Sequence, residues 1–328
     1  MPLEIRDLSV RIAGVELVSI DELTVPDGRR VGLVGESGSG KTLTALSIVG
    51  LQPRGAVVSG TAQLDGTDVL RLPAKRLAGF RGREFGFVFQ DPLRALNPVM
   101  RIGWQLVQAI RLHTSLSKAQ ALTKAIDLLH QVSLDNGAEL VRRYPHQLSG
   151  GQRQRVIIAL AISNDPRVLI ADEPTTALDV TVQREVLDLL VELSETRNMS
   201  VLFVSHDLGV VEAVCDDVAV MYGGRLVEHG PITDVVGRPR HRYTQALIES
   251  SPTYLDESTP TDIVMTSLPT IPGSVPNARA FPTGCRFRNR CGYASDECAA
   301  VPREVVEGDH RFRCWNPVPG NVEVAPCR

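Results

Sequence analysis

A glycine-rich octapeptide between a short apolar strand and a helix constrains this chain more than any other feature. Residues 35–42 read Gly-Glu-Ser-Gly-Ser-Gly-Lys-Thr; they follow the apolar residues 31–34 and precede a helical pattern that begins near Lys41. This is the pattern of a phosphate-binding loop, whose glycines let backbone N–H groups face phosphate oxygens at a helix N-terminus. Lys41 would supply a positive charge to the outer phosphates, and the Thr42 hydroxyl would bind Mg²⁺. The sequence therefore predicts a nucleotide-binding strand, loop and helix.

Two adjacent carboxylates end a second apolar strand. Residues 168–171 read Val-Leu-Ile-Ala and are followed by Asp172 and Glu173. Open α/β sheets bind ligands at the carboxyl ends of their parallel strands. We expect Asp172 to bind Mg²⁺ and Glu173 to polarise the attacking water. Either acid alone could equally be a solvated helix cap, but a phosphate loop earlier in the chain favours the catalytic interpretation.

A second candidate anion site lies at residues 148–152, which read Leu-Ser-Gly-Gly-Gln and precede a helical pattern over 153–162. Ser149 and the two glycines would present hydroxyl and N–H donors at the positive end of the helix dipole. The sequence thus predicts two phosphate sites on one chain.

Apolar periodicity predicts an α/β fold. The chain begins with short apolar runs separated by turns, which indicate a strand-rich lobe. An amphipathic helix is predicted over 116–131, with Ser117 as its N-cap. After residue 148, helices and strands alternate, with a helix over 182–193 and a strand over 201–204; this alternation is typical of parallel strands with crossover helices. A hairpin is predicted around residues 223–224, and a further helix over 241–248.

The residue composition changes towards the end of the chain. Prolines and hydroxyl residues interrupt the pattern after residue 251, where we place a linker. We therefore predict a nucleotide-binding domain over residues 1–250, a linker over 251–272 and a small, loop-rich, cysteine-bearing module over 273–328.

Charge and hydropathy narrow the possible partners. The chain has 35 Lys and Arg against 38 Asp and Glu, a net charge of -3, which offers no overall attraction to nucleic acid or anionic lipid. The N-terminal residues resemble neither a signal peptide nor an anchor, and no run approaches the roughly 18 apolar residues of a spanning helix. We expect a cytoplasmic chain that meets a membrane only through other subunits.

Together, the phosphate loop, the Leu-Ser-Gly-Gly-Gln motif and the strand that ends in Asp-Glu-Pro resemble the ATP-binding cassette (ABC) family, over residues 1–248. The resemblance implies an ABC-type P-loop ATPase with an N-terminal β-rich lobe and a helical subdomain at about 90–160. It also implies a dimer in which the Leu-Ser-Gly-Gly-Gln motif of one subunit closes on ATP held by the phosphate loop of the other. ATP and Mg²⁺ are the expected ligands.

The same resemblance assigns roles to individual residues. Gln90 corresponds to the Q-loop glutamine, Asp179 to the D-loop aspartate and His206 to the switch histidine, so the implied catalytic residues are Glu173, His206 and Gln90. The Mg²⁺ ligands would be Thr42, Gln90 and Asp172. The implied nucleotide-binding residues are Gly35, Ser37, Gly38, Ser39, Gly40, Lys41, Thr42, Leu43, Ser149, Gly150, Gly151, Gln152 and Asp179.

One position departs from the family pattern. The family usually carries an aromatic residue in its first strands that stacks on adenine, and the matching residue here is Ile12, next to Arg11. An apolar or guanidinium contact would have to hold the base instead.

Four segments resemble the ATPases of dipeptide, oligopeptide and nickel importers. They are residues 89–98, residues 175–183, the His-Arg-Tyr-Thr of 241–244, in which Arg242 replaces a proline, and the Gly-Cys-Arg-Phe that begins at 284. The resemblance implies an importer of di- and oligopeptides, with nickel or another solute as an alternative. An ABC ATPase acting on ribosomes or DNA is disfavoured because the chain has one cassette and no coiled-coil insertion. An exporter is disfavoured by the cysteine tail.

The importer resemblance also implies partners and a location. We expect two transmembrane permease subunits, an extracytoplasmic solute-binding protein and a second ABC ATPase subunit, for which a paralogue is favoured over an identical copy. No nucleic acid is expected. The assembly would place this chain at the cytoplasmic face of the cell (inner) membrane as a peripheral subunit.

Four of the six cysteines are candidates for a metal site. Cys285, Cys291, Cys298 and Cys314 are separated by five, six and fifteen residues, which is wider than the pairs typical of zinc. Four thiolates suit a 4Fe-4S cluster, and the peptide-importer tail that this segment resembles includes members with such a cluster. Zinc, a disulfide and unligated thiols are the alternatives.

Other residues of the tail support or surround that site. Cys215 and Cys327 are expected to be free thiols. Four arginines could offset the thiolate charge, or could form a solvated basic face instead; they are Arg286, Arg288, Arg290 and Arg313.

Overall fold

The computed structural model describes residues 2–176, 178–251 and 270–320. Its strands are β1 Leu3–Ile12, β2 Val15–Val25, β3 Arg30–Val34, β4 Ala56–Leu64, β5 Thr67–Asp68, β6 Phe85–Val88, β7 Val168–Asp172, β8 Ser200–Ser205, β9 Asp217–Tyr222, β10 Arg225–Pro231, β11 Val305–Glu307 and β12 His310–Phe312. Its helices are α1 Lys41–Ile48, α2 Ala74–Phe80, α3 Pro92–Ala95, α4 Ile102–His113, α5 Lys118–Gln131, α6 Gly137–Leu140, α7 Gly150–Ala161, α8 Val180–Arg197, α9 Leu208–Val214, α10 Ile232–Gly237 and α11 Arg242–Glu249.

Several predicted segments lie outside the described residues. They include most of the predicted linker (252–269), the end of the chain with Cys327 (321–328), and Ala177 of the D-loop. Within the described part, no helix is long and apolar enough to cross a membrane.

The first of two compact units comprises Met1–Leu3, Val25–Arg29 and Arg71–Leu202. It contains α2 to α8, the parallel pair β6 and β7, and the first residues of β8 beside β7. All five residues of β7 are buried, as expected for a parallel strand covered on both faces.

The helices of this unit test the sequence interpretation directly. The helix predicted over 116–131 is confirmed as α5: Ser117 caps it and forms a capping box with Gln120. The helix predicted over 182–193 is longer, because α8 starts two residues earlier at an Asp179 cap and continues to Asn198, whose φ is 48°. Asn tolerates this left-handed conformation, so the helix ends at Asn198 rather than at residue 193.

The second unit comprises Glu4–Thr24, Arg30–Leu70 and Phe203–Arg328. It contains a four-stranded sheet in the order β2-β1-β4-β5 and the series β11-β12-β10-β9-β3, next to the last residues of β8. β3 and β9 are parallel, with Val31 opposite Asp217. The predicted hairpin is confirmed: β9 and β10 are antiparallel and turn at residues 223–224, where both glycines have positive φ.

The region predicted to be loop-rich also contains strands. β12 pairs with β10, with Phe312 opposite Glu228, and β11 pairs with β12. Each of these strands has only three residues, and their alternation is too short to be recognised as a period in the sequence. The pairing with β10 places this segment within the second unit.

A buried carboxylate holds this part of the second unit together. Glu228 is 1% exposed and accepts hydrogen bonds from the backbone N–H groups of Arg240 (2.6 Å) and His241 (2.8 Å). Its Oε1 also lies 2.7 Å from Nε2 of His310. One carboxylate therefore ties β10 to the start of α11 and to β12.

We predict that Glu228→Gln lowers the free energy of unfolding by about 2 kcal/mol, because an amide has one acceptor oxygen and leaves a buried donor unsatisfied. Urea unfolding followed by tryptophan fluorescence, to which Trp315 and Trp104 both contribute, measures this. Glu307→Gln is the matched control: Glu307 pairs with Arg240 at 3.0 Å but is 48% exposed, so its loss should cost less than about 0.5 kcal/mol. Equal effects of the two substitutions would contradict this account of Glu228.

Candidate functional site

The predicted phosphate loop lies in the second unit, between β3 and α1, as its sequence pattern requires. Gly35, Gly38 and Gly40 have φ values of 154°, 81° and 103°, which L-residues rarely adopt. A Cβ on Gly35 would lie 2.1 Å from the backbone oxygen of Met221. The positive φ values favour glycine at all three positions. At Gly35 there is also no room for a side chain, because the loop passes directly against β9.

Lys41 is held inside this loop. Lys41 is the first residue of α1 and is only 5% exposed. Nζ donates to the backbone oxygens of Gly35 at 2.7 Å and Glu36 at 3.1 Å, and it lies 3.5 Å from Oγ of Ser39. The loop carbonyls therefore position the ammonium group next to the place where a phosphate would bind.

Glu36 anchors the loop to residues far away in the sequence. Its backbone N–H donates to the Tyr243 hydroxyl at 2.8 Å. Its carboxylate receives two hydrogen bonds from Arg290, at 2.6 and 3.0 Å. No local sequence pattern predicts either contact of Glu36, since 207 and 254 positions separate the partners.

His206 follows the end of β8, where it was predicted, and its side chain is exposed. The backbone around it is fixed by its neighbours. Ser205 Oγ accepts from the Asp207 N–H at 3.0 Å, and the Asp207 side chain caps α9. The strand end thus presents an imidazole from a rigid turn.

Glu173, the glutamate predicted to polarise the attacking water, lies in the first unit directly after β7. Asp172, the last residue of β7, is 3% exposed. Glu173 has a φ of 45°, a left-handed conformation that costs a non-glycine residue about 1–3 kcal/mol and is concentrated at functional sites. Its Oε2 accepts from Nε2 of Gln90 at 2.8 Å and from the Thr176 hydroxyl at 2.9 Å. The structure thus brings together two of the three predicted catalytic residues.

The Leu-Ser-Gly-Gly-Gln motif forms the N-terminus of α7 in the same unit. Ser149 caps the helix, accepting from the Gln152 N–H at 3.2 Å, and Gln152 Oε1 accepts from the Ser149 N–H at 3.1 Å. A Cβ on Gly151 would lie 2.6 Å from the Val182 side chain, so glycine permits close packing against α8. The first N–H groups of the helix have no partner within it and favour an anion.

Asp179 and the predicted adenine position make local contacts. The Asp179 side chain accepts from the Val182 N–H at 3.0 Å and so caps α8. Ile12 is half-buried, and the neighbouring Arg11 pairs with Glu16 at 3.3 Å. Neither observation identifies a group that holds the adenine base.

The four candidate metal-binding cysteines lie near one another in the second unit. The Cys285 N–H donates to the Cys298 carbonyl oxygen at 3.0 Å. Burial, followed by the charges of Cys298, Cys314 and Cys291, raises the pKa of Cys285 to about 11, and burial also raises the pKa values of Cys291 and Cys314. Among the described residues, however, no group of three or more His, Cys, Asp or Glu could hold a metal ion. The metal centre expected from the sequence is therefore not shown.

Three of the tail arginines bind carboxylates of the nucleotide-binding region. Arg286 lies 3.5 Å from Glu16, and Arg313 lies 2.6 Å from Asp21; Arg290 binds Glu36. The sequence suggested that these arginines either offset the thiolate charge or form a solvated basic face. Neither interpretation predicts these ion pairs. Cys215 is a free, buried thiol as predicted, and burial raises its pKa.

Comparison with known proteins places these features in a family. The chain matches the family described as "ABC transporter" over residues 18–176 and the family described as "Oligopeptide/dipeptide transporter, C-terminal region" over residues 227–298. A dimeric ATP-binding cassette, MJ0796 bound to ADP and Pi, superposes with a TM-score of 0.63 and 26% identity, covering 71% of this chain and 99% of that one. The predicted α/β ABC-type fold is confirmed.

Two relatives are similar over almost their full length. "Probable D,D-dipeptide transport ATP-binding protein DdpD" of Escherichia coli is 45% identical, with 96% of each chain covered. "Oligopeptide transport ATP-binding protein OppD" of Salmonella typhimurium is 40% identical, with 96% of this chain and 94% of that one covered. This chain therefore belongs to the ATP-hydrolysing subunits of ABC transporters that carry the oligopeptide/dipeptide transporter C-terminal region.

Proposed function

We propose that this chain powers the uptake of di- and oligopeptides. The observation that carries the proposal is identity of 40–45% to peptide- and dipeptide-transport ATP-binding proteins over at least 94% of both chains, including the C-terminal region. The nucleotide-binding cassette alone is common to transporters of many solutes, so the C-terminal region provides the discriminating similarity.

The proposed assembly contains two permease subunits, an extracytoplasmic solute-binding protein and a second ATPase subunit, preferably a paralogue. In this assembly the chain lies at the cytoplasmic face of the inner membrane and contacts lipid only through the permeases. Binding of ATP closes the two ATPase subunits, closure moves the permeases, and hydrolysis resets them.

The catalytic roles follow from the chemistry of each residue. The backbone N–H groups of residues 35–43 and the Lys41 ammonium would bind the phosphates of the ATP held by this chain. Residues 149–152 and Asp179 of this chain would contact the ATP held by the phosphate loop of the partner subunit, and the partner's equivalent motifs would complete the site of this chain. Thr42, Asp172 and Gln90 provide the oxygen ligands that Mg²⁺ prefers. Glu173 would polarise the attacking water, and His206 would hydrogen-bond the γ-phosphate and orient that water.

We predict that short peptides stimulate the ATPase of the assembled transporter, because solute is delivered to the permeases by the binding protein. The complex is purified from detergent-solubilised membrane, its subunits are identified, and ATP turnover is measured in the presence of the solute-binding protein with di- and tripeptides and with Ni²⁺. Co-purification of two permeases and a second ATPase, with stimulation by peptides only, is expected. Stimulation by Ni²⁺ alone would contradict the peptide assignment.

We predict that Glu173→Gln lowers the turnover of the assembled complex by at least about 100-fold while ATP binding is retained, because the amide keeps the shape but cannot act as a base. The amide can still contact Gln90 and Thr176, so the loop should stay in place. Glu185→Gln is the matched control, since Glu185 pairs with Arg155 on the surface and is 57% exposed. Turnover within about threefold of wild type in Glu173→Gln would refute the assignment.

We predict that a dilute, isolated chain has little ATPase activity, because each phosphate loop needs a Leu-Ser-Gly-Gly-Gln motif from another subunit. Lys41→Ala should lose nucleotide binding, since it removes the buried ammonium. Ser149→Arg should keep binding but abolish hydrolysis at the partner's loop. Full activity from a monomer, verified by light scattering in the assay buffer, would contradict the dimer mechanism.

We also propose that Cys285, Cys291, Cys298 and Cys314 bind a 4Fe-4S cluster with a structural role. The four thiols are close enough that the charges of the other three raise the pKa of Cys285, which supports this proposal. In the part of the chain that the structure describes, however, no group of three or more His, Cys, Asp or Glu could hold a metal ion. Anaerobically purified protein should be brown and contain about four irons per chain. Replacement of Cys298, the most buried of the four, by Ser should abolish the colour. Stoichiometric zinc, or no metal, would contradict the cluster.

A further inference from the structure

Arg290 makes an unusually complete set of contacts for a tail residue. Its guanidinium binds both carboxylate oxygens of Glu36, at 2.6 and 3.0 Å. Nε donates to the Pro272 carbonyl at 2.7 Å, and Nη1 lies 3.4 Å from the Tyr222 hydroxyl. Arg290 therefore joins the segment that carries the cysteines to the phosphate loop and to the end of β9.

The ion pair is largely removed from water. The Arg290 side chain is 6% exposed and the Glu36 side chain is 26% exposed. The hydrogen bonds to Glu36 raise the pKa of Arg290, so the guanidinium stays charged. Bidentate arginine–carboxylate pairs have a defined geometry, whereas buried ion pairs contribute little net stability. This pair is therefore better suited to positioning the loop than to stabilising the fold.

A second contact fixes the same loop residue from its backbone. The Glu36 N–H is bound by the Tyr243 hydroxyl, and the Tyr243 ring packs against Tyr222 and Phe287, with centroids 4.7 and 5.3 Å away. His241, whose pKa is lowered to about 3 by burial, is neutral and accepts the Tyr243 N–H at its Nδ1. The side chain and the N–H of Glu36 are thus both held by residues after position 240.

The orientation of Glu36 matters because of its carbonyl group. That oxygen accepts from Lys41 Nζ at 3.1 Å. The Glu36 N–H that Tyr243 holds belongs to the preceding peptide, whose Gly35 carbonyl accepts from the same Nζ at 2.7 Å. A rotation of this peptide would move the charge that attracts the phosphates.

We propose that Arg290 is a positioning residue for ATP binding: it acts through Glu36 to keep the phosphate loop in its nucleotide-binding conformation. The C-terminal segment thereby becomes part of the ATP site. This inference rests on the proposed role of residues 35–42 as the phosphate loop.

The test is a double-mutant cycle on the full chain, with the Kd for MgATP measured by isothermal titration calorimetry. Arg290→Gln and Glu36→Gln should each raise the Kd about fivefold or more, and the double variant should be no weaker than the weaker single variant. Arg290→Lys should recover only part of the affinity, since an ammonium cannot make both hydrogen bonds. In the assembled complex, KM for ATP should rise while kcat stays within about twofold of wild type.

The controls separate positioning from folding. Arg303→Gln removes an exposed arginine of the same segment, for whose side chain the described part of the chain shows no hydrogen bond or ion pair, and it should leave the Kd unchanged. If Arg290→Gln fails to fold, Glu36→Gln decides, because it leaves the contacts of Arg290 with the carbonyls at 271–273 in place.

Two outcomes would overturn the proposal: a Kd within about twofold of wild type in Glu36→Gln, or strictly additive losses in the double variant. Lys41→Ala distinguishes this failure from failure of the proposed loop. If Lys41→Ala loses ATP and Glu36→Gln does not, the loop assignment stands and the positioning role is wrong. If Lys41→Ala binds ATP normally, the loop assignment itself is wrong.

Discussion

The confinement of the Lys41 ammonium group is the constraint on which the second unit depends. A cation with 5% exposure must be surrounded by oxygen atoms, and the carbonyls of Gly35 and Glu36 provide them only if the loop turns sharply around it. Left-handed glycines make that turn possible, and the close approach to Met221 packs it against β9. The hairpin contributes as well, since the Gly224 N–H donates to the Ser39 carbonyl at 2.8 Å.

The first unit shows a comparable constraint at Glu173. A carboxylate that is to act on water must stay accessible and correctly oriented, and here the backbone turns into a left-handed conformation immediately after a fully buried strand. The Gln90 amide and the Thr176 hydroxyl then hold one of its oxygens. In the proposed mechanism, Gln90 would bind Mg²⁺ through its amide oxygen, while its amide nitrogen contacts Glu173.

The C-terminal segment is integrated with the cassette by charge and by aromatic packing. Arg286, Arg290 and Arg313 all reach carboxylates of the first seventy residues, and Phe287 packs against Tyr222 and Tyr243. These contacts give the segment a role that does not require a metal. Burial raises the pKa values of Cys285, Cys291 and Cys314, which disfavours their thiolates unless a cation binds.

The sequence by itself determined the phosphate loop, the strand that ends in Asp172, the cap at Ser149 and the boundaries of α5, because each depends on residues within about ten positions. It also contained the family resemblance that assigns their chemistry. Only the tertiary structure decided that Gln90 contacts Glu173, that β12 extends the strand pairing at β10, and that Arg290 and Tyr243 hold Glu36. Those contacts join residues 82 to 254 positions apart, and no local pattern encodes them: a buried arginine or carboxylate takes whichever partner the folded chain brings within hydrogen-bonding distance.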